Sequence, residues 1–593
     1  MLRYLVPYSL ALLSLSNALY AQECPLIGPA FPAPRALSSS SAWKTAISDF
    51  ESNLNDLLAQ PDSLLDSNTT SFSLNIFSVD EDDLLYEYHY DAPGLKGSIA
   101  EGQKLDGDTV YRIGSISKAM TVYAFLAEAG FKYFDEPVAK FIPEIAKAIE
   151  ENGDNPDDTL LPQWGDITLG QLAGHLSDYQ SDTAGVVDQS MAAQLGLPRL
   201  QPSEIPTCGF IGTTYKPCSR EEMFNEFLGR HPIFPSSTTA VYSNVAFDLL
   251  GLALENIKDG VPFEDLVIRS LVKPLKLNRF GVETPDNSWG VIPIDPETSS
   301  WNFSLGAANP AGGFYSSSND LARVGQSILR STLLSPSDTR RWLKPTSHSA
   351  SLTFAVGSPW EIYRASKPRV FDLYTKDGDL GKYSTSLGLS PDHDLGFTVM
   401  AAGLNAGSQK TLVSDLIAAL FATTVEQEAR VQAIENFAGT YSSSTDAGAE
   451  NATVIKISDN VDEQTTGFAI DSFILNGVPL EDLIGAKLPA STNFTLRLQP
   501  TGLKAKYTNS SCESVKSRTS FRMVANVPEA YGNASLTPDP IISSSCWAWA
   551  AMDGLSWGRI SIDELVFDLD KNDKAVSLEM RATKQVLLRE GGK

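Results

Sequence analysis

Val110-Tyr111-Arg112-Ile113-Gly114-Ser115-Ile116-Ser117-Lys118 is the stretch on which the reading of this chain turns. An apolar, strand-like approach breaks at Gly114, and Ser115 stands at the start of an apolar helix over 117–130 that ends on a glycine. A serine hydroxyl attacks a carbonyl only when a nearby base takes its proton. A lysine serves if burial or neighbouring charge lowers its pKa. At i and i+3 of a helix Ser115 and Lys118 share a face, and the helix N-terminus offers backbone N–H groups to an oxyanion. Ser41 to Lys44 and Ser270 to Lys273 have the same spacing, but the first lies in a polar lead-in and the second at a helix end before Pro274.

Two further motifs follow in the order such a site needs. Tyr242-Ser243-Asn244 precedes a helical stretch over 245–254, and Lys376-Asp377-Gly378 follows a strand-like run over 371–374. Each has a decoy elsewhere. Tyr507-Thr508-Asn509 overlaps a glycosylation tripeptide, and Lys258-Asp259-Gly260 reads as a helix C-cap.

With these three motifs the chain resembles the serine β-lactamase and penicillin-binding superfamily over roughly residues 45–425, in the branch that has Tyr-x-Asn as its second motif. Class C β-lactamases, D-alanyl-D-alanine carboxypeptidases, D-aminopeptidases and related esterases share that branch. The stretches Ile167-Thr168-Leu169 to His175-Leu176-Ser177, Tyr242 to Leu252, and Gly312-Gly313-Phe314-Tyr315-Ser316 to Asn319-Asp320-Leu321-Ala322 are similar to the family pattern. The resemblance implies Ser115 as the acylated nucleophile, Lys118 as the group that relays its proton, and Tyr242 as general base and acid. It implies Asn244 as a partner of the substrate amide and of Lys118, and Lys376 as the cation that binds a carboxylate or lowers the tyrosine pKa. Gly378 belongs to the same strand, and the N–H groups of Ser115 and Asp379 form the implied oxyanion hole. The third motif departs from the usual form: Asp377 and Asp379 flank the lysine where small neutral residues are common. Two carboxylates there predict weakened recognition of anionic substrates and favour an ester, a neutral amide or an acyl carrier.

Outward from these motifs, apolar spacing predicts a helix over 42–58, a hairpin over 71–90, mostly helical patterns to about 310, strands over 371–374, 384–389 and 395–402, and a helix over 411–428. This is an α+β fold: a mixed sheet with an inserted helical subdomain. Past Glu435 short alternating segments such as 454–457, 494–498 and 520–524 predict a C-terminal all-β domain, and 440–444 reads as a turn. The expected organisation is a signal peptide over 1–21, a catalytic domain over 22–430 and a β domain over 435–593.

The 593 residues are 42% hydrophobic and 20% charged, an ordinary globular composition, and the net charge of -26 repels nucleic acid and anionic membranes. Arg3, the apolar run after it and the small residues at 16, 18 and 21 predict secretion, as do N-x-S/T tripeptides at Asn68, Asn302, Asn451, Asn493, Asn509 and Asn533. No lipid-anchor tail is visible. Pairing Cys208 with Cys218 and Cys512 with Cys546 leaves Cys24 odd, and free buried thiols are the alternative. None of the five histidines forms a metal-ligand pattern, so no metal and no cofactor is expected, and His175 reads as a structural hydrogen-bonder. Gly554-Leu555-Ser556-Trp557-Gly558 matches a nucleophile elbow, but a strand follows it and no histidine comes later. The expected function is a secreted serine hydrolase acting on a small ester or amide through an acyl-enzyme. The alternatives are an acyltransferase of the same fold and a binding protein that keeps the fold without turnover.

Overall fold

The computed structural model describes residues 26–591 except 61, 154–156, 178–188, 202–203, 212–213, 445–449, 461–465, 481, 483–494, 507–514, 527–548 and 550–551. It divides into two compact units, one of residues 35–366 and 372–425, the other of 26–34, 367–371 and 426 onward.

The first unit is built on an eight-stranded sheet. Its strands are β1 (Thr70–Ser78), β2 (Tyr86–Tyr90), β3 (Ser347–His348), β4 (Phe354–Val356), β5 (Glu361–Ala365), β6 (Phe371–Leu380), β7 (Tyr383–Ser390) and β8 (Leu395–Gly403). They lie in the order β2-β1-β8-β7-β6-β5-β4-β3. The expected hairpin is present, with Leu74 opposite Tyr88. Alternation along β1 sends Phe72, Leu74 and Ile76 to one face. There they pack with α1 (Ser41–Ala59) through Trp43, Phe50 and Leu54, and with Val413 and Ile417 of a later helix. Phe77 belongs to the core of the other face, where α2 (Ile116–Ala129), α3 (Val245–Ile257) and α4 (Ser318–Leu329) contribute Met120, Leu250 and Leu321. The mostly helical segment between β2 and β3 is the insertion, and α2 and α4 within it also pack on the sheet. Cys208 and Cys218 are bonded there, while Cys24, Cys512 and Cys546 lie outside the described residues.

The helix expected over 411–428 is longer. α5 (Ala406–Leu420) passes through a π-helical turn, Phe421–Val425, into α6 (Glu426–Phe437), so the boundary expected near Glu435 falls inside a helix.

In the second unit eight strands close into a barrel: β9 (Gly439–Ser442), β10 (Val454–Ile457), β11 (Phe468–Leu475), β12 (Thr495–Lys506), β13 (Ser517–Asn526), β14 (Glu564–Leu569), β15 (Ala575–Met580) and β16 (Gln585–Arg589). The order β10-β9-β16-β15-β14-β13-β12-β11 is closed by antiparallel pairing of β11 with β10. Closure removes the exposed edges an open sheet would have. Residues 440–442, expected in a turn, are strand: Tyr441 is fully buried in the barrel and overrides the polar Ser/Thr texture around it. Phe437, Phe468, Phe521 and Phe567 fill the interior, with ring centroids of Phe521 and Phe567 5.1 Å apart.

The lead-in also belongs to this unit rather than to the domain expected over 22–430. Phe31 meets Phe468 edge-on at 5.4 Å, and the Leu26 N–H donates to Gln499 Oε1 at 3.1 Å. Arg369, buried, pairs with Glu426 at 2.9 Å and donates to the Gly28 carbonyl at 3.1 Å. Among the described residues no helix is long and apolar enough to cross a membrane.

Candidate active site

The strand Val110–Arg112 pairs with Tyr315–Ser317, and Arg112, buried, donates to the carbonyls of Ser300 at 3.0 Å and Phe303 at 2.5 Å. These ties fix the approach to Ser115. Gly114 takes φ +46, and a Cβ on it would come within 2.7 Å of Asp379 N. Only glycine fits that turn. Ser115 is the N-cap of α2, yet its hydroxyl makes no capping bond. It is turned to the two groups next described.

Lys118 is fully buried, and Nζ donates to Ser115 Oγ at 3.0 Å, Asn244 Oδ1 at 2.6 Å and the Ala311 carbonyl at 2.8 Å. Three acceptors match the three protons of an ammonium, so this geometry suits a charged donor. Burial, helped by the charge of Lys376, lowers the Lys118 pKa; Tyr242 and Asp248 work against that fall. Asp248 lies on α3 one turn beyond Asn244, the N-cap residue of that helix, and is buried.

A hydrogen bond of 2.5 Å joins Tyr242 Oη to Ser115 Oγ. The Tyr242 ring has Lys118 Nζ 4.9 Å and Lys376 Nζ 5.3 Å from its centroid. Burial raises the phenol pKa, but the charges of Lys376 and Lys118 and the bond to Ser115 outweigh it, and the net shift is downward. That is the direction a general base needs.

His175 supports this tyrosine from beneath. The helix Leu169–Ala173, begun by a capping box of Thr168 and Gln171, delivers it in a left-handed conformation with φ +59. Its ring stacks on Tyr242 at 4.8 Å, Nδ1 accepts the Ser243 N–H at 3.1 Å, and its carbonyl accepts from Val241 N at 2.8 Å. Burial, then the charges of Lys376 and Lys118, holds the imidazole pKa well below its ordinary value. Because Nδ1 accepts an N–H it carries no proton, which leaves the ring's single proton on Nε2.

On β6, Gly378 closes the site from the other side. A Cβ there would lie 2.0 Å from the Ile113 carbonyl oxygen and 2.8 Å from Ser115 N. The absence of side chains at Gly114 and Gly378 lets the backbone at Asp379 and the backbone at Ser115 approach closely.

The acids beside Lys376 are arranged differently from the expectation. Alternation along β6 turns Asp377 away from the Lys376 face, and its carboxylate is held by Lys410 of α5. Asp379 accepts from Ser384 Oγ, its cross-strand neighbour, at 2.5 Å. The acid that meets the ammonium is Glu361 of β5: Lys376 Nζ lies 2.5 Å from Oε1, and the Asp377 N–H donates to Oε2 at 3.0 Å. Burial works against the cation, but Glu361, followed by Tyr242 and Asp377, raises the Lys376 pKa. Glu361 carries no motif and enters through strand pairing alone.

The decoys fall apart. Ser270 Oγ is spent on the Leu266 carbonyl at 2.7 Å. Ser556 sits exposed on a two-residue strand, Ser556–Trp557, paired with Ile560–Ser561, and no helix follows it. Among the described residues no group of His, Cys, Asp and Glu could hold a metal ion.

A family model described as Beta-lactamase matches residues 82–420, and one described as Beta-lactamase-like-like, C-terminal domain, matches 429–591. The chain is 29% identical to the Beta-lactamase-like protein of Arthroderma benhamiae over 592 residues, covering 96% of this chain and 95% of that protein. It is 24% identical to the Probable hydrolase M10 of a Phoma species, over 96% and 91%. It is 26% identical to the D-alanyl-D-alanine-carboxypeptidase/endopeptidase AmpH of Escherichia coli, over 49% of this chain and 71% of that protein. Because the first model spans more than half of its length, the chain belongs to the Beta-lactamase family, within the serine β-lactamase and penicillin-binding superfamily.

Proposed function

We propose that this protein is a serine hydrolase that cleaves an ester or amide through an acyl-enzyme at Ser115. The observation that carries the reading is the convergence on one hydroxyl of Tyr242 Oη at 2.5 Å and Lys118 Nζ at 3.0 Å. Tyr242, its phenolate favoured by Lys376 and Lys118, takes the Ser115 proton as Oγ bonds to the substrate carbonyl carbon. The Ser115 and Asp379 N–H groups stabilise the oxyanion. As the tetrahedral intermediate collapses, the bond to the leaving group breaks and Tyr242 returns the proton to that group. Water then repeats the sequence on the acyl-enzyme, with Tyr242 again the base. Lys118 stays a donor throughout and keeps Ser115 Oγ and Asn244 in position.

The hydrolase and carboxypeptidase names of the relatives agree with this reading. We also propose that the protein is exported. Asn68, Asn302 and Asn451 of the N-x-S/T tripeptides are exposed, as glycan acceptors must be. Treatment with a fluorophosphonate and peptide mapping should find the adduct on Ser115 and none in Ser115→Ala. A folded protein that takes up no label would be the binding protein instead.

A further inference from the structure

Among the described residues, the cations that meet Ser115, Tyr242 or the third motif are occupied by the protein itself. Lys376 has a side chain only 1% exposed, and its Nζ already donates to Glu361 Oε1 at 2.5 Å and to the Asp377 carbonyl at 2.9 Å. Its remaining direction faces the Tyr242 ring. Lys410 is 7% exposed and held by Asp377. Lys118 meets three acceptors, and Arg112 donates to backbone carbonyls and to Tyr315 Oη. What this wall shows to solvent beside Lys376 is acid: the Glu361 side chain is 23% exposed.

We infer that the site accepts acyl donors whose leaving group carries no negative charge, and that Glu361 is the residue that sets this preference by occupying Lys376. The inference rests on the Ser115 reading above. The leaving group is the part concerned because Tyr242, which returns the proton to it, lies between Ser115 and Lys376. A carboxylate there meets an ammonium whose charge Glu361 already balances, so it gives up water in a partly dehydrated cleft without gaining a cation, and the solvent-facing carboxylate of Glu361 lies nearer to it than the buried ammonium. The neutral imidazole of His175 offers it no positive charge.

The test is a matched pair of substrates: 3-carboxyphenyl phenylacetate and the same ester with its carboxylate methylated. Their kcat/KM ratio cancels any change in the chemistry common to both. In the unaltered protein the neutral ester should be favoured by about tenfold or more. Glu361→Gln keeps an acceptor for the Asp377 N–H and frees Lys376, and should move the ratio about tenfold toward the charged ester. Independently of any variant, 1 M salt should raise the charged-to-neutral ratio of the unaltered protein, since the screening length then falls to about 3 Å. A preference for the charged ester, or a ratio that neither Glu361→Gln nor salt moves, overturns the inference. If neither ester is consumed while a fluorophosphonate labels Ser115, this inference alone falls; if labelling also fails, the serine reading falls with it.

Discussion

Around Ser115 the first unit buries Lys118, His175, Asp248 and Lys376, while the barrel of the second is filled by Phe437, Phe468, Phe521 and Phe567. Each phenylalanine taken out of water contributes about 1.5–3 kcal/mol, so the barrel interior is accounted for by stability. A buried lysine is the opposite case: it must recover a desolvation penalty of several kcal/mol from its partners. Clusters of that kind, with pKa values displaced in a shared cleft, are where catalysis is found. The difference teaches why equally short motifs carry unequal weight here. Ser115 sits where the fold has gathered charge, and Ser556 sits in a module organised around packing.

The largest effect should separate the two serines. Ser115→Ala should lower kcat/KM by about a thousandfold or more with an unchanged circular dichroism spectrum, and Ser556→Ala should leave it within about twofold. The reverse pattern would dissolve the contrast at its root. Phe567→Ala probes the packing side. It should remove about 3–5 kcal/mol of barrel stability in denaturant melts while the rate of Ser115 labelling in native buffer stays the same. Slower labelling would mean that the barrel serves the chemistry as well.

Two smaller effects sharpen what the charge cluster does. The base form of Tyr242 is the phenolate, favoured by Lys376, so kcat/KM should rise with pH along a limb below the ordinary tyrosine value. Lys376→Gln removes the cation, makes the phenolate harder to form and should shift that limb upward. Activity near neutrality falls and is recovered at higher pH; a limb that stays in place would assign the base role to another group. His175→Phe retains a ring against Tyr242 but loses the acceptor for the Ser243 N–H. A hydrogen bond of about 1 kcal/mol predicts roughly a fivefold loss in kcat with KM little changed, and a change confined to KM would contradict a positioning role.

Much of this was legible in the chain itself, and the limits of that legibility are physical. The helix starting at Ser115, the strands on either side of the third motif and the hairpin of β1 and β2 follow from periodicities within ten residues or so. Gly114 could be read as the break before the helix, whereas the close approach that excludes a Cβ at Gly378 appears only in the fold. Glu361 could not be read from the sequence either. It reaches Lys376 across neighbouring strands, and nothing in Trp360-Glu361-Ile362 marks it. Asp377, by contrast, is adjacent to Lys376 in sequence, but the pleat of β6 turns it to Lys410.

The sequence by itself determined the local grammar of this protein: a serine and a lysine on one helical face, a tyrosine before a second helix, a lysine and glycine in a strand, and a β-rich region after them. Tertiary structure alone decided which charges meet, that the strands after residue 438 close into a barrel, and that residues 26–34 join that barrel through Phe31. The reason is the range of the forces involved. Backbone periodicity acts between near neighbours along the chain, whereas ion pairing and the filling of a core depend on positions that only folding brings together.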